Sequence, residues 1–146
     1  IVSITVMSFI IFFIISGILY LLSKLALKGE GTYASAMVAT GLPYYIYALQ
    51  AIVMIILSLA FSRWVMGTSV ASLADMDKST FTGFLLGKID VFTIWALIIM
   101  SIGLAKMFKI ADTKKTAIMV FALWIGWSLI AFGLSKLSPM LSFLNM

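Results

Sequence analysis

The chain has 146 residues, of which 64% are hydrophobic and 10% charged, and its formal net charge is +5. A soluble domain has roughly 45–50% apolar and about 25% charged residues, so this composition excludes an ordinary water-soluble fold. Cysteine and histidine are absent, which excludes disulfides, cysteine–metal sites and histidine bases, and in so apolar a chain the basic charge favours anionic lipid headgroups over nucleic acid.

Four long apolar stretches are separated by short segments that hold nearly every charge. A helix needs about 20 apolar residues to cross the hydrocarbon core of a bilayer. We therefore expect residues 1–146 to form a single all-α domain, a polytopic transmembrane helix bundle with four visible spans and no separate soluble catalytic domain. The predicted spans are 2–22, 43–62 (preceded by a short helix over 32–40), 91–108 and 116–135.

The second span is predicted to be interrupted. Gly41 and Pro43 separate the short helix from the main span, and proline breaks or kinks a helix because it lacks an N–H. Tyr44, Tyr45 and Tyr47 follow directly. Two interpretations stay open: a broken helix whose freed backbone groups bind a solute, as in transporters, or a simple kink with an interfacial aromatic belt.

The longest polar segment, 66–90, ends at Asp90, immediately before the third span. Asp is a favoured N-cap, and this structural role is the simpler interpretation. If Asp90 lies inside the bundle instead, it becomes the leading proton or ligand site, because intramembrane acids are often functional. Asp75 and Asp77, in the same segment, lack the pattern of a calcium-binding loop and favour a solvated loop.

Charge placement predicts an orientation. Four spans put the turns 24–31 and 106–115 on one side, which we call the basic side, and the 66–90 loop and the C-terminus on the opposite side. The basic side holds six lysines and the opposite side four Lys or Arg, so the basic side is predicted to be cytoplasmic. Lys106, Lys109, Lys114 and Lys115 are candidates for contact with anionic lipid or an acidic partner, and they also satisfy topology alone.

The order of several motifs resembles the Yip1 family of multispan membrane proteins. The chain carries Gly29-Glu30-Gly31-Thr32-Tyr33, then Gly41-Leu42-Pro43-Tyr44, and much later Ile89-Asp90-Val91-Phe92-Thr93-Ile94-Trp95. This resemblance implies a bundle of usually five spans, with a further span before Ile1, and suggests a prokaryotic-type member. It also implies a connection to membrane trafficking.

The sequence contains no recognisable catalytic motif, so we expect no enzyme activity, catalytic residue, cofactor or metal. The favoured function is a non-enzymatic membrane-shaping, adaptor or scaffold role in membrane organisation. The alternative is a small-solute or ion transporter, or a subunit of one, that uses the Pro43 break and Asp90. Expected partners are the lipid bilayer, other proteins or a second copy of the chain, and not nucleic acid.

Overall fold

The computed structural model describes residues 2–62, 64–65, 67–74 and 80–137. This part of the chain folds into helices joined by short turns, and it contains no strand. The helices are α1 (Val2–Leu25), α2 (Tyr33–Gly41), α3 (Pro43–Phe61), α4 (Val70–Leu73), α5 (Phe81–Lys88), α6 (Val91–Met107) and α7 (Thr113–Leu137).

Three stretches have the length and hydropathy to cross a membrane: Thr5–Leu25, Tyr33–Phe61 and Thr113–Gly133. The second combines α2 and α3. Helices α5 and α6 pass the same test only together, with a bend of 55° between them. The described chain is therefore an all-α polytopic membrane bundle with three crossings, or four when the bent pair counts as one.

Both composite spans break where local chemistry stops the helix. Helix α2 starts at a capping box, in which the Thr32 side chain accepts from the Ser35 N–H and Ser35 Oγ accepts from the Thr32 N–H. It gives way to α3 at Pro43, which occupies the first turn of the new helix, where its missing N–H does no harm. The break between α5 and α6 falls at Ile89 and Asp90.

The turns that follow α1 and α6 on the basic side each contain a lysine in the left-handed region. Lys28 has a φ of 53° and Lys109 a φ of 54°. After α1, the Gly29 N–H reaches back to the Ser23 carbonyl at 2.9 Å, and after α6 the Ile110 N–H reaches the Ala105 carbonyl at 2.9 Å. These bonds satisfy carbonyls that the helix ends would otherwise leave free.

Small residues bring α2 and α6 together at the centre of the bundle. A Cβ on Gly103 would lie 2.5 Å from Leu42 Cδ1 and 3.7 Å from the Ala39 Cα, so a larger residue would push the helices apart. Such close approach is how membrane helices associate, because lipid supplies no hydrophobic force between them. The buried core around this contact comprises Leu19, Ala36, Ala39, Leu97, Leu104, Phe108 and Val120.

Several residues that the charge analysis placed on the opposite side lie outside the described residues. These are Arg63, Asp75, Asp77 and Lys78, together with the apolar tail over 138–146.

Candidate functional site

Asp90 joins the bend between α5 and α6 to the rest of the bundle. One carboxylate oxygen, Oδ1, accepts from the backbone N–H of Phe92 at 2.8 Å and of Thr93 at 3.4 Å. This is the N-cap geometry that the sequence indicates. The residue is only 6% exposed, so its charge lies among protein atoms and not in open water.

The second carboxylate oxygen of Asp90 binds two side chains that are distant in sequence. Thr68 Oγ1 donates to Asp90 Oδ2 at 2.6 Å, and Gln50 Nε2 donates to the same oxygen at 3.0 Å. Gln50 Nε2 also donates to Thr68 Oγ1 at 2.7 Å. We call Gln50, Thr68 and Asp90 the polar joint. Because hydrogen bonds to a charged acceptor are stronger than neutral ones, this triangle fixes α3, the 67–74 segment and α6 to one another.

The residues around the Pro43 break do not converge on one site. Pro43 is buried and Gly41 half-buried, with nothing within 4 Å of a Cβ placed on it. Tyr44 is exposed and lines an open apolar groove of about 300 Å³ with Phe9 and Phe12 of α1.

Tyr47 is also exposed, and its ring meets that of Tyr44 edge-on, with centroids 6.2 Å apart. It lies one helical turn before Gln50, on the side of α3 that carries the polar joint. Of the residues at the predicted break, Tyr47 is therefore the one placed beside Asp90's partners.

The four candidate lysines all have exposed side chains: Lys106 near the end of α6, Lys109 in the following turn, and Lys114 and Lys115 in the first turn of α7. Lys109 Nζ forms an ion pair with Glu30 Oε2 at 3.5 Å. The carboxylate of Asp112 accepts from the Lys114 N–H at 3.0 Å and so caps α7. The lysines thus lie on the surface of one end of the bundle, and Lys106 is at the end of α6 opposite to Asp90.

A second joint, on the basic side, depends on the packing of one phenylalanine against two glycines. Phe108, which is 0% exposed, lies against Gly29 and Gly31. A Cβ on Gly31 would come within 2.6 Å of Phe108 Cγ, and one on Gly29 within 2.8 Å of Phe108 Cβ. The Glu30 N–H donates to the Phe108 carbonyl at 2.9 Å. We call Gly29, Gly31 and Phe108 the glycine joint.

Sequence reasoning identified one member of the polar joint and missed two. Gln50 was the single amide side chain inside a predicted span, and Thr68 was one of several hydroxyl residues in a loop. A lone amide in an apolar span was the available signal, since burying it without a partner is costly. Among the described residues, no three Asp, Glu, His or Cys side chains come together, so no cluster there has the composition of a metal centre.

Comparison with known proteins gives one result. The family model described as the Yip1 domain matches residues 1–135. No curated protein and no solved structure matches the chain.

Proposed function

The chain belongs to the Yip1 family, and we propose that it is a non-enzymatic membrane scaffold, an adaptor that gathers proteins and lipids at the bilayer as part of membrane organisation or trafficking. It is a multi-pass integral membrane protein of that family. The hydrogen bonds of the polar groups inside the bundle support this function.

The observation that carries the proposal is the complete use of the Asp90 carboxylate. A carboxylate offers about four lone-pair sites, and four donors occupy them: the N–H groups of Phe92 and Thr93 and the side chains of Gln50 and Thr68. A solute carrier needs a polar group that exchanges partners with its cargo. Here the charge serves to hold three segments of the bundle in place.

Three other buried hydroxyls are satisfied within their own helices, whereas Ser23 Oγ and Thr116 Oγ1 are buried without a hydrogen-bond partner among the described residues. Ser16, Thr40 and Ser101 donate to the carbonyls of Phe12, Ala36 and Leu97, four residues earlier, at 2.7–2.8 Å. Such bonds leave the faces between helices to small apolar residues. These features favour a bundle that uses its internal polar groups for structure and presents its outer surfaces to partners.

The outward surfaces suit an adaptor. Large apolar side chains cover the exposed faces of α1 and α3, among them Phe9, Ile14, Ile55 and Leu59. The basic side displays Lys106, Lys109, Lys114 and Lys115, and we propose that this side is cytoplasmic and contacts anionic headgroups or acidic segments of partner proteins. A second copy of the chain is a further candidate for the apolar faces.

The proposal is tested with purified protein in sealed vesicles of phosphatidylcholine and phosphatidylglycerol, and with a photo-crosslinking residue at position 114 in native membranes. We expect discrete protein or lipid adducts at position 114 that disappear when Lys106, Lys109 and Lys115 are changed to Gln. A crosslinker at the exposed Trp64 position is the matched control, because its adducts should persist.

The same vesicles test the competing function. Proton, sodium and potassium fluxes should equal those of protein-free vesicles, for the parent protein and for Asp90→Asn alike. A flux above that level that Asp90→Asn abolishes would overturn the scaffold proposal in favour of a transporter.

Orientation is tested separately with single cysteines, since the natural chain has none. Lys28→Cys and Lys109→Cys should react with an impermeant maleimide from the cytoplasmic face, and Ser62→Cys from the other face. The reverse pattern would contradict the proposed orientation.

A further inference from the structure

The segment after α3 turns back along the helix that it has just left. Helix α3 ends at Ser62, whose φ is 49°. The Val65 N–H then donates to Ser58 Oγ at 3.0 Å, and three residues later Thr68 Oγ1 accepts from Gln50 at 2.7 Å. Ser58 and Gln50 are separated by eight residues, or about 12 Å along a helix. The chain therefore runs antiparallel to α3, back toward the middle of the bundle.

Helix lengths place the end of this return inside the bilayer. Gln50 precedes the last residue of α3, Phe61, by 11 residues, or about 16 Å. Asp90 precedes a 17-residue helix, so it lies about 25 Å from the basic-side end of α6. The 24 residues of α1 and the 25 of α7 span about 36 Å each. A hydrocarbon core about 30 Å thick, centred on these long helices, contains the polar joint in its opposite-side half.

Residues 67–74 form a compact unit at this depth. Ser69 Oγ caps α4 by accepting from the Ser72 N–H at 3.3 Å, and the Val70 N–H donates to the Ile89 carbonyl at 3.1 Å. Ala71, in the middle of α4, is 0% exposed. Irregular backbone is tolerated at membrane depth only where protein buries it, and these bonds supply that burial.

Helix α5 supports the unit from the other side. Its N-cap is Thr80, whose side chain accepts from the Gly83 N–H at 3.1 Å. The Phe84 ring packs against Phe132 of α7 with centroids 4.5 Å apart, and Phe81 meets the same ring at 5.9 Å. Helix α5 is thus attached to α7, and the 67–74 unit contacts α5 through α4 as well as bonding to the polar joint.

We propose that residues 67–74 are a re-entrant strap that covers the Asp90 carboxylate from the opposite side of the membrane and is latched there by the Thr68 hydroxyl. The hydroxyl is the strap's only side-chain bond to Asp90 and Gln50 among the described contacts. When it is released, only the Val70–Ile89 backbone bond and the contact with α5 hold the strap, so it opens more often and exposes both polar side chains to the opposite-side aqueous phase. The strap is a conformational device, independent of whether the bundle acts as an adaptor.

The experiment uses Ala71→Cys as a reporter in sealed, oriented vesicles that contain the otherwise cysteine-free chain. Ser62→Cys, at the exposed end of α3, is the aqueous reference. We expect an impermeant maleimide to react with Ala71→Cys at least about tenfold more slowly than with Ser62→Cys, because a reporter buried under a closed strap reacts only through rare opening.

Releasing the latch should open the strap. Thr68→Val keeps the shape of the side chain and removes its hydroxyl, and we expect it to raise the labelling rate of Ala71→Cys about tenfold, since bonds to a charged acceptor are strong. Gln50→Leu should act in the same direction. Thr82→Val, the same change at an exposed site on α5, should leave the rate unchanged.

A third reporter separates strap opening from unfolding. Ala36→Cys lies in the buried core on the basic side and should stay unlabelled in Thr68→Val. Equal labelling of Ala71→Cys and Ser62→Cys in the parent would overturn the embedded strap. An unchanged Ala71→Cys rate in Thr68→Val, or an equal rise at Ala36→Cys, would overturn the latch.

Discussion

The two ends of the bundle are closed in opposite ways. On the basic side, the glycine joint holds the turn after α1 against the turn after α6 by shape, with two missing side chains making room for one phenyl ring. Toward the opposite side, the polar joint holds α3, the strap and α6 by hydrogen bonds to one carboxylate. Stability that depends on packing falls in proportion to the volume added or removed. Stability that depends on a buried charge falls sharply once the hydrogen-bond partners of that charge are removed.

Phe108→Ala should produce the largest loss of stability. Removing a fully buried ring leaves a cavity between Gly29 and Gly31, and Phe→Ala changes in cores cost about 3–5 kcal/mol. The measurement is thermal unfolding in bicelles or unfolding by steric trapping. Phe132→Ala, a ring between α5 and α7 that is only partly buried, is the comparison. A smaller loss for Phe108→Ala than for Phe132→Ala would show that the glycine joint does not close the basic side.

Asp90→Ala should cause the second-largest loss of stability, through lost hydrogen bonds and not through a cavity. It removes an N-cap, worth about 0.5–2 kcal/mol, and leaves the Gln50 and Thr68 donors without their acceptor, at about 1–3 kcal/mol. Asp90→Asn keeps one carbonyl acceptor and should cost less. The free energy of unfolding is measured for both variants, with Asp112→Ala as an exposed-cap control. The comparison separates the cost of losing the N-cap from the cost of leaving Gln50 and Thr68 without an acceptor. Equal losses for Asp90→Ala and Asp112→Ala would mean that only the cap matters.

Gly31→Ala should sharpen the same comparison with a single added methyl. Its Cβ would lie 2.6 Å from Phe108 Cγ, and overpacking costs about 1–3 kcal/mol. Gly126→Ala, where nothing lies within 4 Å of the added atom, should be neutral or stabilising. Phe108→Ala removes the Cγ and Cδ atoms that Gly31→Ala would meet, so Gly31→Ala should cost little in the Phe108→Ala background; an equal cost in both backgrounds would mean that the strain does not come from the ring.

Glu30→Gln should have the smallest effect. The Glu30–Lys109 pair is 74% and 77% exposed, and exposed ion pairs contribute about 0–1 kcal/mol. We expect a change in melting temperature close to the error of the measurement, and no further change in high salt. A loss as large as that of Gly31→Ala would indicate that charge, not shape, closes the basic side.

Features that depend on residues close together in sequence could be predicted. Asp90 as a cap depends on N–H groups two and three residues ahead, and the break at Pro43 depends on the chemistry of one residue, so both could be predicted. The third crossing was predicted over 91–108, whereas α6 alone is short and needs α5 to complete it. No proline marks that bend, and the charged residues Lys88 and Asp90 beside it indicate the start of a span, not a bend within one.

Hydrogen-bond and packing partners that are distant in sequence could not be predicted. Thr68 and Gln50 reach Asp90 over separations of 22 and 40 residues, and many hydroxyl residues in the 66–90 segment were equally plausible. Gly29-Glu30-Gly31 was recognised as a turn, but one phenylalanine in an apolar run looks like any other, and only the packing selects Phe108. The candidate lysines stay a prediction, since their role depends on partners and not on the fold.

The left-handed lysines have an electrostatic consequence. Aligned peptide dipoles give a helix C-terminus roughly half a negative charge, and α1 and α6 both direct that end toward the basic side. Lys28 and Lys109 follow those ends within one turn, at a backbone conformation where glycine would be less strained. Each lysine therefore brings a positive charge within about one turn of a helix end that is partly negative. Two of the lysines that predict the orientation of the protein therefore also offset the dipoles of the helices that they follow.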